Sequence, residues 1–390
     1  MTEAAGPLRV MVIFGTRPEV IKLAPVIAAL REHPSYFATT VVVTAQHRSM
    51  MDQMLEVFGI QPDRDLNIME ENQSLARVTC NALQRLDGVL AEYAPQVIIV
   101  QGDTTTTFVA ALCGYYHKVA VAHVEAGLRT GRKYSPFPEE INRRLTSALA
   151  ELHFAPTPLA KENLLREGVE PENIFVTGNT VVDAVQSIVA EPPHFRDARL
   201  AALMQNGLRT VAITAHRREN WGPALENIAE AVLRLASLCE DVQFVFPVHL
   251  NPNVRAVFKR RLRGHPRIHL LEPLDYRSFV HLLGRSVLIL TDSGGIQEEA
   301  PSLRKPVLVM REVTERPEGL ASGWLKLVGC DVERIVSEAQ RLLEDSALYS
   351  LAISAPNPYG DGKAAQRIIE ALCFHFGLSD RRPEEFQPGA

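Results

Sequence analysis

Twice along this chain, short apolar runs rich in β-branched residues alternate with longer stretches of helical periodicity, and nothing else constrains the fold as much. In the first series the runs lie at Leu8–Phe14, Ala38–Thr44, Val97–Gln101 and Val119–Val124, with helical patterns such as Glu19–Arg31 and Ser74–Glu92 between them. The pattern restarts after AEPPHFRDARL, with runs at Thr210–Ala215, Val242–Pro247, Ile268–Leu271, Val287–Thr291 and Val307–Met310. Near-continuous apolar strands joined by helices predict parallel sheets covered on both faces. The expected fold is therefore α/β, with two doubly wound, Rossmann-like domains joined near residues 178–196. A chain of 390 residues, 46% of them hydrophobic, can bury two such cores. The last helical pattern, Lys363–Phe376, suits either domain.

The net charge of -5 and pI near 6.2 give no bulk attraction to nucleic acid or to an anionic membrane. No stretch approaches the length of a membrane span, and Met1–Pro7 lacks the basic-then-apolar plan of a signal peptide. The five cysteines are scattered and show no C-x-x-C spacing, which predicts reduced thiols rather than a metal site or disulfide frame. The expectation is a soluble cytoplasmic protein.

In open parallel sheets, ligands bind beyond the carboxyl ends of the strands. Ionisable residues gather there. FGTRPEVIK brings Arg17 and Lys22, VQGDTTTT brings Asp103, and AHVEAGLRTG brings Glu125. In the second series TAHRREN brings His216, PVHLNPN brings His249, and TDSGG brings Ser293, Gly294 and Gly295. No G-x-G-x-x-G follows the first strand and no Walker A sequence appears, so neither a dinucleotide cofactor nor a P-loop is expected. Cations mixed with isolated carboxylates suit a diphosphate ester undergoing proton transfer. The Ser-Gly-Gly turn before a helix read from Ile296 offers N–H groups to an anion, while Glu298 and Glu299 suit hydroxyl donors. A nucleoside diphosphate presents both phosphates and a ribose diol. Each feature also has a plainer explanation. Asp103 could cap the following helix, His249 could brace a turn, Arg217 and Arg218 could be solvated charge, and Pro25 could merely kink its helix.

Several long blocks carry a resemblance: FGTRPEVIKLAPVI, TAQHR, GDTTTT, HVEAGLRTG, YSPFPEEINRR, TGNTVVDA, HRREN, PVHLNPNVR, LTDSGGIQEEAPSLRKPVLVMREVTERPE and NPYGDGKAAQRI, in order along nearly the whole chain. The sequence closely resembles the bacterial non-hydrolysing UDP-N-acetylglucosamine 2-epimerases. The resemblance implies a two-domain GT-B-like fold with the active site in the interdomain cleft. It implies an N-terminal domain over 1–178 completed by the C-terminal helix 363–380, and a UDP-binding domain over 179–362. It further implies a cytoplasmic homodimer acting on UDP-N-acetylglucosamine and UDP-N-acetylmannosamine, without cofactor or metal, by elimination of UDP to a bound 2-acetamidoglucal and its re-addition.

Carried over motif by motif, the resemblance makes Asp103, Glu125 and Glu139 the acid/base candidates, with His216 beside them. Arg17, Lys22, His216 and Arg316 would hold the diphosphate or orient the sugar. Ser293, Gly294 and Gly295 would cradle phosphate, Glu299 would take the ribose hydroxyls, and Phe279 with the backbone at Leu274 would flank uracil. Some members bind a second UDP-N-acetylglucosamine as an activator; of the residues tied to that site, Gln46, Glu139, Arg217 and His249 match, while Ser49 and Asn72 replace a Gln and an Arg. Three rivals share features with this reading: a glycosyltransferase of the same fold, a hydrolysing epimerase that releases UDP, and a non-catalytic sugar-nucleotide sensor. Fold alone does not separate them.

Overall fold

The structure, a computed structural model, describes residues 6–44, 48–68, 73–314 and 316–389, with the backbone alone at 48–50. The chain divides into two compact units. One runs to Ala184 and regains the chain at Gly360–Pro388; the other spans Val185–Tyr359.

The first unit is built on seven parallel strands: β1 (Leu8–Phe14), β2 (Phe37–Val43), β3 (Arg64–Asp65), β4 (Val97–Gln101), β5 (Ala120–Val124), β6 (Leu152–Ala155) and β7 (Ile174–Val176). Their spatial order is β3-β2-β1-β4-β5-β6-β7. Strand order therefore reverses between β1 and β4, where Val10 lies opposite Val97. Val10 to Phe14 and all of β4 are buried, as a strand covered on both faces requires. The helix Arg17–Arg31 covers one face through Val20, Leu23, Val26, Ile27 and Leu30. Its start is a capping box, with Thr16 at the N-cap and Glu19 three residues on. Pro25 lies inside it. The helix Ala364–His375 packs on it, within the same unit.

The second unit repeats the plan with six parallel strands: β8 (Arg209–Thr214), β9 (Val242–Pro247), β10 (Ile268–Leu271), β11 (Leu288–Thr291), β12 (Val307–Val309) and β13 (Leu325–Leu327). Their order, β10-β9-β8-β11-β12-β13, reverses between β8 and β11. The core between this sheet and its helices gathers Ile213, Phe244, Phe246 and Leu290 with Ile228, Val232 and Leu235 of the helix Pro223–Leu238. Each sheet thus has one switch point, the place where open α/β sheets receive ligands. Among the described residues no helix is long and apolar enough to cross a membrane.

The return of the chain to the first unit is secured by Asp183, whose carboxylate accepts from the N–H groups of Ala364 (3.3 Å) and Ala365 (2.9 Å) at the start of the last helix. Burial raises the Asp183 pKa from 3.8 to about 6, against those two hydrogen bonds. The folded state therefore binds the proton more tightly than the unfolded one. The resulting stability is full below pH 3.8 and is lost as pH rises through about 6. Asp183→Asn keeps an acceptor oxygen and cannot ionise. Relative to wild type it should become more stable on going from pH 4 to pH 8, by up to about 3 kcal/mol at roughly 1.4 kcal/mol per pKa unit. Urea unfolding of both proteins at the two pH values measures the difference; a pH-independent difference would show that the carboxylate is not desolvated.

Candidate functional site

At the switch point of the first unit the chain must hold together two turns, those leaving β1 and β4. Glu19 does this, with one carboxylate oxygen for each turn. Oε2 accepts from the N–H groups of Gly15 (3.1 Å) and Thr16 (2.7 Å), and Oε1 accepts from the hydroxyls of Thr104 (2.9 Å) and Thr107 (3.1 Å). Burial raises its pKa, against these hydrogen bonds. Beside it the hydroxyls of Thr44 and Thr106 meet at 3.0 Å, and a Cβ on Gly15 would fall 2.1 Å from one and 2.7 Å from the other. Only glycine fits there.

The turn after β4 carries Asp103. It is not the helix cap that its position suggests: Thr104 caps the helix Thr105–Tyr116, accepting from the N–H of Thr107 at 3.1 Å. The Asp103 carboxylate instead receives Nε and Nη2 of Arg143, at 2.8 and 2.6 Å, and its carbonyl accepts from Asn142 Nδ2 at 2.9 Å. The preceding Gly102 adopts φ 74°, and its carbonyl accepts from Nε2 of His123 at 2.7 Å. Burial pushes the His123 pKa down to about 3, so this ring is a neutral brace beneath Asp103.

Glu125 follows β5 in a left-handed conformation, φ 65°, which a non-glycine residue adopts at a cost. Its carboxylate is paired with the Lys22 ammonium and accepts from Gln101 Nε2 (3.1 Å) and Asn179 Nδ2 (3.0 Å). A Cβ on Gly102 would lie 3.9 Å from Glu125 Oε1, so this carboxylate borders the turn that bears Asp103. Glu139 opens the helix Glu139–Leu149; its Oε2 is buried with no hydrogen-bond partner among the described residues. The neighbouring Glu140 is structural. Burial works against its ionisation, but the N–H and hydroxyl of Thr130, the N–H of Gly131 and Arg143 together hold its pKa below the ordinary value. Arg17 is exposed at the start of its helix.

The second unit uses the same device. Asp292, fully buried beyond β11, accepts from the N–H groups of His216 (2.9 Å) and Arg217 (2.9 Å) and from Asn220 Nδ2 (3.1 Å), and so ties the turn after β8 to its own. The hydroxyls of Thr214 and Thr291 meet beneath it at 2.6 Å. The His216 ring stacks on that of His249, with centroids 5.5 Å apart. His249 also braces its own turn, its Nδ1 accepting from the N–H of Asn251 at 3.1 Å.

Ser293 occupies the N-cap position, without a side-chain capping bond, of a short helix, Gly294–Glu299, that runs into a 3-10 turn. The helix begins two residues before the sequence reading places it. A Cβ on Gly294 would lie 3.3 Å from Nη2 of Arg217, whereas Gly295 faces open space. Glu298 and Glu299 are buried. Glu298 pairs with Nε of Arg316 at 2.5 Å, and Glu299 accepts from the Tyr276 hydroxyl at 3.2 Å. Leu274 and Phe279 are half-buried against the core.

The structure therefore brings together Lys22 with Glu125, Asp103 with its own turn's supports, His216 with His249, and Gly294 with Arg217. Gln46 lies outside the described residues, as does Asn72, and Ser49 is described by its backbone alone. Sequence reasoning passes over Glu19, Arg143, Asn179, Asn220 and Asp292. Their only sequence signal is position within the TRPE, NRR, TGNT, HRREN and TDSGG blocks.

Two parallel sheets with carboxylates and cations gathered at their strand ends define a two-unit, GT-B-like α/β protein. The chain belongs to the UDP-N-acetylglucosamine 2-epimerase family, whose model matches residues 28–373. It is 51% identical over 379 residues to the UDP-N-acetylglucosamine 2-epimerase of Bacillus subtilis, covering 97% of this chain and 98% of that one. A crystal structure of a putative UDP-N-acetylglucosamine 2-epimerase from Listeria monocytogenes superposes with a TM-score of 0.92 at 48% identity, over 98% of this chain and 100% of that one. The Neisseria meningitidis UDP-GlcNAc 2-epimerase, solved bound to UDP-GlcNAc, superposes at 0.84 with 47% identity, over 94% and 99%.

The packing around the glycines gives a direct test. Gly15→Ala should cost about 1–3 kcal/mol, because the two threonine hydroxyls must be driven apart. Gly295→Ala should stay within about 0.5 kcal/mol of wild type, since its Cβ meets nothing. Chemical denaturation of the two variants reads the contrast, and equal stabilities would refute the packing account.

Proposed function

We propose that this enzyme interconverts UDP-N-acetylglucosamine and UDP-N-acetylmannosamine, supplying the latter for cell-surface polysaccharide synthesis. The observation that carries the reading is that Glu125 borders the turn bearing Asp103, while Glu139 opens the helix whose Asn142 and Arg143 hold Asp103, in a chain of this family. The Bacillus and Neisseria relatives bear the same activity in their names.

The chemistry accounts for the residue types. The sugar's C2 hydrogen is not next to a carbonyl, so its removal is not assisted by an enolate. In the proposed path a carboxylate takes the C2 proton, the C–H electron pair becomes the C1–C2 double bond, and the C1–O bond breaks with its electrons leaving on UDP. The bound 2-acetamidoglucal is then protonated at C2 on the opposite face while a UDP oxygen re-forms the bond to C1. Asp103, Glu125 and Glu139 supply and take these protons. Lys22 and Arg17 of the first unit, and His216 and Arg316 of the second, are the proposed holders of the leaving diphosphate or of the sugar.

Ser293, Gly294 and Gly295 give backbone N–H groups to phosphate, and the side-chain-free edge at Gly294 and Gly295 supports a close approach. Glu299, already accepting from one hydroxyl, suits the ribose diol. Phe279 and the Leu274 backbone flank uracil. The reading places the enzyme in the cytoplasm as a homodimer, in keeping with five free cysteines.

Proton NMR of UDP-N-acetylglucosamine incubated with the protein in D2O tests this directly. The epimer should appear with deuterium at C2. Free N-acetylmannosamine with stoichiometric UDP would instead establish hydrolysis. Asp103→Asn and Glu125→Gln should each lower kcat by at least about 100-fold, the scale of a lost acid or base, with a far smaller effect on affinity. A variant with kcat near wild type would lose its assigned role.

A further inference from the structure

Asp292 differs from an ordinary loop clamp in one respect. Its Oδ1 lies 3.3 Å from Nδ1 of His216, while the same carboxylate accepts the His216 main-chain N–H at 2.9–3.1 Å. Backbone and ring of one residue are thus both referred to a single, fully buried group. The counterpart in the first unit, Glu19, binds two main-chain N–H groups and two hydroxyls, all neutral. Its role is complete as a clamp. Asp292 also touches a side chain that can carry a proton.

We propose that Asp292 is the positioning residue for His216: its carboxylate keeps a hydrogen on Nδ1 in both protonation states, so that Nε2 is the nitrogen presented to the ligand. The proposal rests on the preceding functional reading only for what that ligand is, a nucleoside diphosphate leaving from a sugar. A carboxylate on one imidazole nitrogen fixes the tautomer and favours the charged ring. An imidazolium so held would stabilise the charge that gathers on the departing phosphate oxygen.

Among the described residues, Arg217 follows His216 directly in the chain, and its positive charge opposes another on the ring. The His249 ring stacks on that of His216. The remaining neighbours of the clamp are indirect: Asn220 bridges Asp292 to the Met310 carbonyl at 3.1 Å, Cys330 Sγ lies 3.4 Å from Asn220 Oδ1, and Glu219 is paired with Arg311 at 2.6 Å. Among the described residues Asp292 is a carboxylate beside Nδ1, placed to hold a proton there against the charge of Arg217.

The test is long-range proton–nitrogen NMR on the full-length protein with 15N-labelled histidine, with His216 assigned by its loss in His216→Gln. In wild type, neutral His216 should be the Nδ1–H tautomer. In Asp292→Asn its titration midpoint should fall by at least about one unit, because a carboxylate within hydrogen-bond range favours the charged form. The same variant should lose at least about tenfold in kcat, with the pH profile displaced in the same direction as the midpoint. An Nε2–H tautomer in wild type overturns the proposal without any variant having to fold. An unmoved midpoint in folded Asp292→Asn overturns it as well. Both readings come from the histidine itself, so a wild-type protein that failed to epimerise UDP-N-acetylglucosamine would defeat the functional reading and leave this one standing on its own measurement.

Discussion

In each parallel sheet the two central strands send their chains away in opposite directions, and the turns they leave behind have no reason to stay in register. One buried carboxylate per unit supplies that reason. Glu19 spends one oxygen on the turn after β1 and the other on the turn after β4, and Asp292 ties the turn after β11 to that after β8. Burying a carboxylate is costly unless its lone pairs are filled, and here three or four donors fill them. Removing a donor would leave a buried polar group unsatisfied in a dry place, a loss of about 1–3 kcal/mol. Several of the candidate residues hang from these two knots: Arg17, Lys22 and Asp103 from the first, His216, Arg217 and the Ser-Gly-Gly turn from the second.

Below the knots the polar groups are neutral; above them they are charged and paired. His123 and His153 lie side by side on β5 and β6, and burial lowers their pKa values to about 3 and about 4. They serve as uncharged hydrogen-bonding struts, and through the Gly102 carbonyl His123 sets the height of Asp103. One residue further out, Asp103 meets Arg143, and Glu125 meets Lys22. The gradient follows from solvation. A single charge two residues deeper would have to shed its proton or gain one, whereas at the strand ends a counter-charge and partial exposure keep it affordable.

Much of this was legible in the chain. The apolar runs located the longer strands, because a strand buried on both faces has no freedom to be polar; β1, β4, β9 and even the edge strand β10 match the expected bounds residue for residue. Four shorter or more polar strands were not legible. β3 is two exposed charged residues, β13 is Leu-Lys-Leu, and β6 and β7 are four and three residues long, with a histidine in β6. None is long enough to show a period. The candidate residues at the strand ends could be found because ionisable side chains stand out against apolar runs. Glu19 and Asp292 could not be told from a capping glutamate and a turn aspartate, since their partners lie 85 and 76 residues away. For Asp103 the local alternative looked sound, and a neighbouring threonine took the cap instead.

Lys22 shows why the arrangement is more than scaffolding. It rises from the helix that Glu19 starts, and its ammonium meets Glu125, whose backbone is strained into the left-handed region to reach it. An ammonium carries three donors in a compact charge, so engagement by a carboxylate does not preclude a phosphate on the same cation. In the proposed reaction a proton moves at one carbon while a diphosphate leaves the next, and a shared cation of this kind would serve both groups. A carboxylate that took the proton would lose its charge, and the ammonium's attraction would pass to the phosphate as that group became more negative. Gln101 and Asn179, which also donate to Glu125, would keep that carboxylate in place as its charge changed. On that proposal the strained φ at Glu125 and the four-bond knot at Glu19 would serve one requirement, contact between a cation and a carboxylate while the charge between them moves.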